Sequence, residues 1–371
     1  MKKRLLAMLM AGTMALSMTA CGGGGASDGG EAADGGEAAE GAAKIGVSMP
    51  TQSLQRWNQD GSNMKEQLEA AGYEVDLQYA GDNDIPTQVS QIENMIAGGC
   101  DALVIAAIDG SALTEALKGA SENNIPVISY DRLIMNSDAV SYYATFDNYK
   151  VGQMQGEYIR DALDLDNAAG PFNIELTTGA PDDNNVNFFF GGAMDVLQPY
   201  IDSGKLVVLS GQTEKAQCAT ANWSTEEAQK RFENIITSVG YGPDGVKLDA
   251  VLCSNDSTSY GVQNALQAAG YTAENMPIIT GQDCDKPNVK NLVSGLQSMS
   301  VFKDTRTLAD ATVKMVDAIV KGTEPEINDT ETYDNGTGII PSYLCDPVVV
   351  TKDNYEEILI DSGYYTAEDV A

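Results

Sequence analysis

Short apolar runs alternate with longer amphipathic segments from Lys44 onward. The runs are rich in Val, Ile, Leu and Tyr and are apolar at consecutive positions, which is typical of parallel strands buried between helices. The predicted strands are Lys44–Ser48, Val75–Tyr79, Ala102–Ala106, Pro126–Tyr130, Phe172–Leu176, Leu206–Leu209, Ala250–Cys253, Pro277–Thr280 and Met299–Phe302.

Between these runs, apolar residues recur at helical spacing. Each such stripe would give a helix one apolar face to pack on a sheet. The alternation of strand and helix therefore predicts an α/β fold with right-handed crossovers. Two of the stripes are Met64, Leu68 and Ala71, and Ala309, Val313, Val316 and Val320.

The predicted strands are too many for one ordinary sheet, so the sequence favours two lobes. Several short passages between lobes, rather than one linker, would form a hinge. We expect these passages at 146–148, 283–286 and 333–341. The predicted N-terminal lobe is 44–147 plus about 285–333, and the predicted C-terminal lobe is about 148–284 plus 334–371.

Charged and amide side chains repeatedly follow the predicted strands. Open α/β sheets bind ligands at the carboxyl ends of their strands, so these residues are candidates for one polar cleft. Taken singly, each could be an ordinary ion pair, turn residue or helix cap. The candidates are Arg56, Trp57, Asp131, Arg132, Asp182, Asp183, Asn184, Asn185, Asn255, Asp256, Gln282, Asp283 and Lys303.

These residue types suit a neutral polyol. A sugar hydroxyl both donates and accepts a hydrogen bond; Asp accepts, Arg and Lys donate, and Asn does both. The apolar C–H faces of a pyranose fit an aromatic plane. The chain contains two tryptophans, Trp57 and Trp223, each in a loop expected after a strand. They could stack on the two faces of one sugar, or they could be packing residues.

The N-terminus predicts export. Lys2, Lys3 and Arg4 precede an apolar run that is too short to span a membrane, so residues 1–20 are a predicted signal peptide. The small residues before Cys21 resemble a bacterial lipobox, in which the cysteine carries a lipid anchor. Residues 22–43 contain only Gly, Ala, Ser, Asp and Glu, and are predicted to be a flexible tether. An ordinary signal peptide with an unrelated cysteine is the alternative.

Composition excludes several functions. The formal net charge of −32 disfavours contact with phosphate backbones, so no nucleic-acid partner is expected. The chain has no histidine, which removes Ser-His-Asp and Cys-His catalysis and H-E-x-x-H metal sites. Other chemistries survive, so composition alone makes an enzyme less expected without excluding one. Our prediction is that the chain has no catalytic residue, cofactor or metal. Apart from Cys21, the five cysteines are interpreted as buried thiols, although Cys253 and Cys284 lie near strand ends and could pair.

Eight short motifs follow one another along the chain. They are Arg56-Trp57, Ser90–Ile96, Tyr130-Asp131-Arg132, Phe146-Asp147-Asn148, Pro181–Asn185, Ser254-Asn255-Asp256, Gly281-Gln282-Asp283 and Val301-Phe302-Lys303. In this order they resemble the type I periplasmic sugar-binding proteins, in particular their xylose-binding and multiple-monosaccharide-binding branch. The resemblance runs from about Lys44 to the C-terminus.

The resemblance implies two Rossmann-like lobes that are joined by three crossovers and close on a sugar. It assigns Arg56, Asp131, Arg132 and Lys303 to the first lobe. It assigns Asp183, Asn185, Asn255 and Asp283 to the second lobe or hinge, with Trp57 and Trp223 stacking on the sugar.

The implied function is that of a monomeric, lipid-anchored, extracytoplasmic receptor that delivers one monosaccharide to the transmembrane subunits of an ABC permease. Three other functions share parts of this pattern. A sugar sensor for a membrane kinase or chemoreceptor would use the same binding residues. A secreted carbohydrate-active enzyme would turn over its ligand. A repressor with this fold would need a basic helix-turn-helix where this chain has an apolar signal and an acidic tether.

Overall fold

Two sets of parallel strands organise residues 41–370, which are the residues that this computed structural model describes. The predicted signal peptide, Cys21 and nearly all of the predicted tether lie outside them. The strands are β1 (Lys44–Met49), β2 (Glu74–Tyr79), β3 (Ala102–Ile105), β4 (Val127–Tyr130), β5 (Val140–Phe146), β6 (Phe172–Thr177), β7 (Leu206–Val207), β8 (Ala250–Cys253), β9 (Ile278–Ile279), β10 (Met299–Phe302), β11 (Ser342–Cys345) and β12 (Val348–Thr351).

Helices connect most successive strands, as the alternating pattern predicts, and within residues 41–370 no helix is both long enough and apolar enough to cross a bilayer. The helices are α1 (Gln55–Ala70), α2 (Ile85–Ala97), α3 (Thr114–Glu122), α4 (Asn148–Ala162), α5 (Asn185–Asp202), α6 (Lys215–Cys218), α7 (Thr225–Val239), α8 (Asp256–Ala268), α9 (Lys286–Ser294) and α10 (Thr305–Val320).

The first sheet has six strands in the order β11-β5-β4-β3-β1-β2, and every neighbouring pair is parallel. Its central strands are buried because helices cover both faces. The stripe predicted in α1 faces this core through Met64 and Leu68, while Ala71 lies just after the helix and is exposed. In α10, Ala309 and Val316 are buried, whereas Val320 at the helix end is 38% exposed.

The second sheet has four parallel strands in the order β7-β6-β8-β9. Two further strands, β10 and β12, pair with each other in the antiparallel direction. A single parallel bridge between Gln282 and Val301 joins this pair to the chain that follows β9. The fold is therefore α/β with parallel sheets flanked by helices, as predicted.

The chain passes between the two sheets three times. The first passage lies at Asp147, between β5 and α4, close to the expected position. The second lies between β10 and α10, and the third between β11 and β12, so both come later in the chain than the expected 283–286 and 333–341. The reason is that α9 and β10 pack with the second sheet, whereas β11 joins the first; an apolar run does not identify the sheet that a strand will join.

Five cysteines lie within the described residues, and all five are buried free thiols: Cys100, Cys218, Cys253, Cys284 and Cys345. Cys253 ends β8, and Cys284 lies in the loop after β9, where its Sγ is 3.9 Å from the Ser300 carbonyl oxygen. Burial raises the pKa of both thiols well above the usual range. Because both cysteines are free thiols, the suggested Cys253–Cys284 disulfide is not formed.

Glycines allow α4 and α5 to approach each other closely. A Cβ atom added at Gly152 would lie 2.1 Å from the Phe189 carbonyl oxygen, and one added at Gly192 would lie 2.1 Å from the Tyr149 carbonyl oxygen. Real Cβ atoms do not come this close to backbone atoms, so the two helices can keep this separation only with glycine at both positions. The contact matters for the site because α5 begins at Asn185.

We predict opposite effects for two neighbouring glycines of α5. Gly192→Ala should lower the free energy of unfolding by about 1–3 kcal/mol, because the methyl group must push α4 away. Gly191→Ala is the matched control: its Cβ would meet nothing within 4 Å, so the better helix propensity of alanine should raise stability by about 0.5–1 kcal/mol. Urea denaturation measures both, and equal effects would contradict the close helix contact.

Candidate ligand-binding site

A cavity lies where the carboxyl ends of strands from both sheets approach each other. All ten residues to which the resemblance assigns sugar contacts line it, together with five others. Of the other candidates that follow strands, Gln282 lines the cavity, whereas Asp182, Asn184 and Asp256 do not. The predicted residues are Arg56, Trp57, Asp131, Arg132, Asp183, Asn185, Trp223, Asn255, Asp283 and Lys303. The additional residues are Leu54, Phe189, Ser257, Gln282 and Asp285.

Arg56, in the first turn of α1, connects three carboxylates. Its Nε lies 3.0 Å from Asp60, one turn further along the helix, and its Nη1 lies 3.2 Å from Asp283. Its Nη2 donates to Asp131. The guanidinium presents its donors in a rigid planar fork, so one side chain can serve several acceptors. Arg56 thereby joins the first sheet to the loop that follows β9.

Lys303 lies directly after β10, at the second passage between the sheets. Its Nζ is 3.1 Å from Asp283 and 3.9 Å from Asp131, and the residue is 2% exposed. The resemblance places Lys303 in the first lobe, but its preceding strand pairs with β12 beside the second sheet. It therefore reaches the cavity from the passage itself.

A second ion pair spans the cavity. The Nε of Arg132, which follows β4, lies 3.0 Å from Asp183, which precedes α5. Arg132 also donates to the carbonyl oxygens of Ala107 and Ile108. Because the backbone holds the guanidinium and both partners of the pair are buried or nearly so, the charges are desolvated as well as paired.

Amide and hydroxyl groups hold these charged residues in position. The Asp131 carbonyl oxygen accepts from Asn185 Nδ2 at 2.7 Å and from the Tyr143 hydroxyl at 2.6 Å. Asp131 itself has φ = 57°, an uncommon conformation for a residue with a side chain, and this turn aims its carboxylate at the cavity. The backbone of a site residue is thus fixed by a second site residue, Asn185.

The two tryptophans lie in the walls of the cavity. Trp57 is 3% exposed, and the guanidinium carbons of Arg56 and Arg132 lie 5.3 and 5.0 Å from its ring centroid. Trp223 is 5% exposed, and its Nε1 donates to Asp183 at 3.2 Å. The Trp223 ring fits against Gly179, where a Cβ atom would lie 2.1 Å from the ring.

Asn255 combines a site position with a local structural role. Its Oδ1 accepts from the Thr258 backbone N–H, which caps the start of α8, and its Nδ2 donates to Ser257. Ser257 in turn donates to the Trp223 carbonyl oxygen. The capping explanation that the sequence left open is therefore correct for Asn255, and it also positions this residue at the edge of the cavity.

Burial and neighbouring cations shift the pKa values of the aspartates in this region in opposite directions. Burial would raise the pKa of Asp131, but Arg56, Lys303 and Arg132 hold it below the ordinary value. Burial raises the pKa of Asp60 to about 6 in spite of Arg56. Burial and the neighbouring Asp283 raise the pKa of Asp285 to about 7. Asp131 is thus charged at neutral pH, whereas Asp285 titrates there.

The cavity has the chemistry of a polyol site. Four carboxylates, two carboxamides from asparagine and three cations offer acceptors and donors within one small volume, and aromatic rings provide apolar faces. Within residues 41–370, no three or more Cys, Asp or Glu side chains are arranged so that they could hold one metal ion. Neither cysteine nor histidine lines the cavity.

Comparison with known proteins gives a consistent result. Residues 45–324 match the family model described as a periplasmic binding protein domain. The multiple sugar-binding periplasmic receptor ChvE of Rhizobium radiobacter is 52% identical over 87% of this chain and 91% of that protein. The D-xylose-binding periplasmic protein of Escherichia coli (strain K12) is 36% identical over 87% of this chain and 91% of that protein.

A solved structure is more similar still. It is an ABC transporter solute binding protein from Clostridium phytofermentans with bound β-D-glucose, and its TM-score is 0.86 at 64% sequence identity. The alignment covers 88% of this chain and all of that one. The family match and these similarities together show that the chain belongs to the periplasmic binding protein family.

Proposed function

We propose that this protein is the extracytoplasmic substrate-binding receptor of an ABC-type monosaccharide importer. Its ligand is a neutral aldose, of which D-glucose and D-xylose are the first candidates because similar proteins are named for, or contain, these sugars. The main observation in support is that all ten residues to which the resemblance assigns sugar contacts line one cavity between two sheets.

Charge balance favours a neutral ligand. Each cation that lines the cavity, Arg56, Arg132 and Lys303, lies within 4 Å of an aspartate of the same cavity. An acidic ligand would have to compete with these carboxylates for the same donors. Hydroxyl groups can instead add bonds to both members of each pair, because they donate to the acid and accept from the base.

Ligand contacts from both sides provide the mechanism. Asp131 and Arg56 extend from the first sheet, whereas Asp183, Asn255 and Asp283 follow strands of the second. A sugar that bonds both groups stabilises the state in which they are close, and so shifts the hinge equilibrium towards closure. A membrane permease that recognises the closed state would then receive the sugar.

We further propose that the receptor acts as a monomer, is anchored through a lipid on Cys21 and has no catalytic activity. The anchor is inferred from the sequence pattern before Cys21. The lack of catalysis is inferred from the chain's membership of the periplasmic binding protein family. Stoichiometric sugar binding without turnover of aryl glycosides would support this inference; turnover would contradict it.

A thermal-shift screen tests the ligand class. D-Glucose, D-xylose and other aldoses should raise the melting temperature, since a ligand that binds only the folded state stabilises it. Disaccharides, amino acids and nucleosides serve as the comparison set. A shift with a nucleoside or amino acid and none with any aldose would refute the sugar assignment while leaving the family assignment intact.

Asp131→Ala should abolish measurable aldose binding. The change removes a buried charged acceptor that two cations hold in the cavity, and a charge-assisted bond contributes about 1.5–3 kcal/mol. Arg56 also loses one of its three carboxylate partners. Calorimetric titration measures the loss. Asp138→Ala, which changes an exposed aspartate after the same strand, is the matched control and should bind normally. Unchanged affinity in Asp131→Ala would remove this residue from the site.

Intrinsic fluorescence should report ligand binding with little background. The chain has two tryptophans, and both line the cavity, so sugar must alter the surroundings of every indole in the protein. We expect a saturable spectral change with the bound aldose. Trp57→Phe and Trp223→Phe should each remove part of the change and weaken binding about 3–10-fold through lost aromatic area. A spectrum that does not respond to a sugar that binds by calorimetry would contradict stacking.

A further inference from the structure

Two residues that line the cavity each carry a buried oxygen atom without a hydrogen-bond partner. These atoms are Oε1 of Gln282 and Oδ1 of Asp285. Gln282 is 1% exposed, and Asp285 is partly exposed although its Oδ1 is buried. A buried acceptor without a partner is unfavourable, so such atoms in a binding cavity indicate where a ligand supplies the missing donor.

Other carboxylates of the cavity are already engaged. Asp131 bonds Arg56, Asp183 accepts from Trp223 and the Asn185 backbone, and Asp283 lies within 3.2 Å of Arg56 and 3.1 Å of Lys303. Asp285 occupies the N-cap position of α9 but makes no side-chain capping bond. Its carboxylate is therefore not used by the helix that it precedes.

The loop that carries the two residues is held rigidly. Asp283 N–H donates to the Val301 carbonyl oxygen at 2.8 Å, and Asp285 N–H donates to Asp256 Oδ2 at 2.9 Å. Asp283 and Cys284 have φ values of 93° and 54°, which non-glycine residues rarely adopt. Backbone of this kind persists only where its surroundings impose it, and it is common at ligand-binding sites.

We propose that Gln282 and Asp285 are ligand-contacting residues, and that each accepts a hydrogen bond from a different hydroxyl group of the bound aldose. The inference rests on the proposed function, because it assumes that the cavity binds a sugar. It adds a requirement: the ligand presents two hydroxyl donors to the loop after β9. The two contacts thus contribute to the choice among aldoses.

Monodeoxy-D-glucoses test the two contacts directly. D-Glucose and each of its monodeoxy analogues are titrated by calorimetry into the wild-type protein, Gln282→Met and Asp285→Ala. Each variant should weaken D-glucose binding about 5–50-fold. Each variant should bind one deoxy analogue about as tightly as it binds D-glucose. The hydroxyl group that this analogue lacks is the one that donates to the removed side chain, so its loss costs the variant nothing further.

Three further measurements separate contact from structure. Asp285→Asn keeps a carbonyl acceptor and should recover part of the affinity that Asp285→Ala loses. Asp353→Asn changes an exposed aspartate that follows β12, and it should leave all affinities unchanged. Thermal unfolding should show that each variant is folded. If Gln282→Met is unstable, the Asp285→Ala variant alone still tests whether the loop contacts the sugar.

The outcomes distinguish this inference from the proposed function. In one outcome, the wild-type protein binds D-glucose, and removing any hydroxyl group lowers the affinity by the same factor in the variants as in the wild type. The two residues then do not contact the sugar, and the inference is wrong. If neither D-glucose nor any other aldose binds the wild-type protein, the proposed function is wrong, and the inference is overturned with it. Non-additive losses confined to one hydroxyl for each residue would confirm it.

Discussion

The buried guanidinium of Arg56 is the interaction on which the site depends. It bonds carboxylates from its own helix, from the loop after β4 and from the loop after β9, which are far apart in the sequence. Burying one charge is costly unless it is paired and hydrogen-bonded, and here the pairing also brings the two sheets' loops together. Lys303 also lies within 4 Å of Asp131 and Asp283, so each of these two aspartates has both Arg56 and Lys303 as partners. Removal of any member would leave a partner charged and buried.

This arrangement is suited to a ligand without charge. The network is already complete in electrostatic terms, and the orientation of its groups is fixed by Asn185, Tyr143 and the backbone. A sugar then meets donors and acceptors whose positions have been set in advance, which reduces the entropy lost on binding. Aromatic walls supply the apolar part of the interaction without competing for hydrogen bonds.

The sequence predicted the site better than it predicted the connections between strands. Candidates such as Asp131, Asp183 and Asp283 were found because the carboxyl-end rule for open sheets requires only the position of the strand. Phe189 was missed, since a residue inside a helix faces a cavity only after the helix has been packed. Gln282 was noticed after its strand but not selected, and Asp285 was not noticed, because neither an orphan acceptor nor a missing cap is visible before the loop is folded.

Strand partners required three-dimensional information. β5 mixes polar and apolar residues, so it lacks the continuous apolar run used to predict strands. β12 does contain such a run, Val348–Val350, but it lies in the C-terminal tail and was not selected. β10 was found within its correct bounds but was assigned to the wrong side, because its side chains are buried on both faces in either sheet. The passages at 302–305 and 345–348 follow from pairing, which local pattern does not encode.

The position of Lys303 links selectivity to mechanics. This residue both faces the ligand cavity and lies on a segment that must change its dihedral angles if the halves rotate, and Asp304 immediately after it caps α10. Substitutions here would alter the torsional stiffness of the segment and the affinity at the same time. Evolution towards another sugar should therefore proceed through residues such as Asn255, which lies on a different segment after β8, and leave the lysine in place.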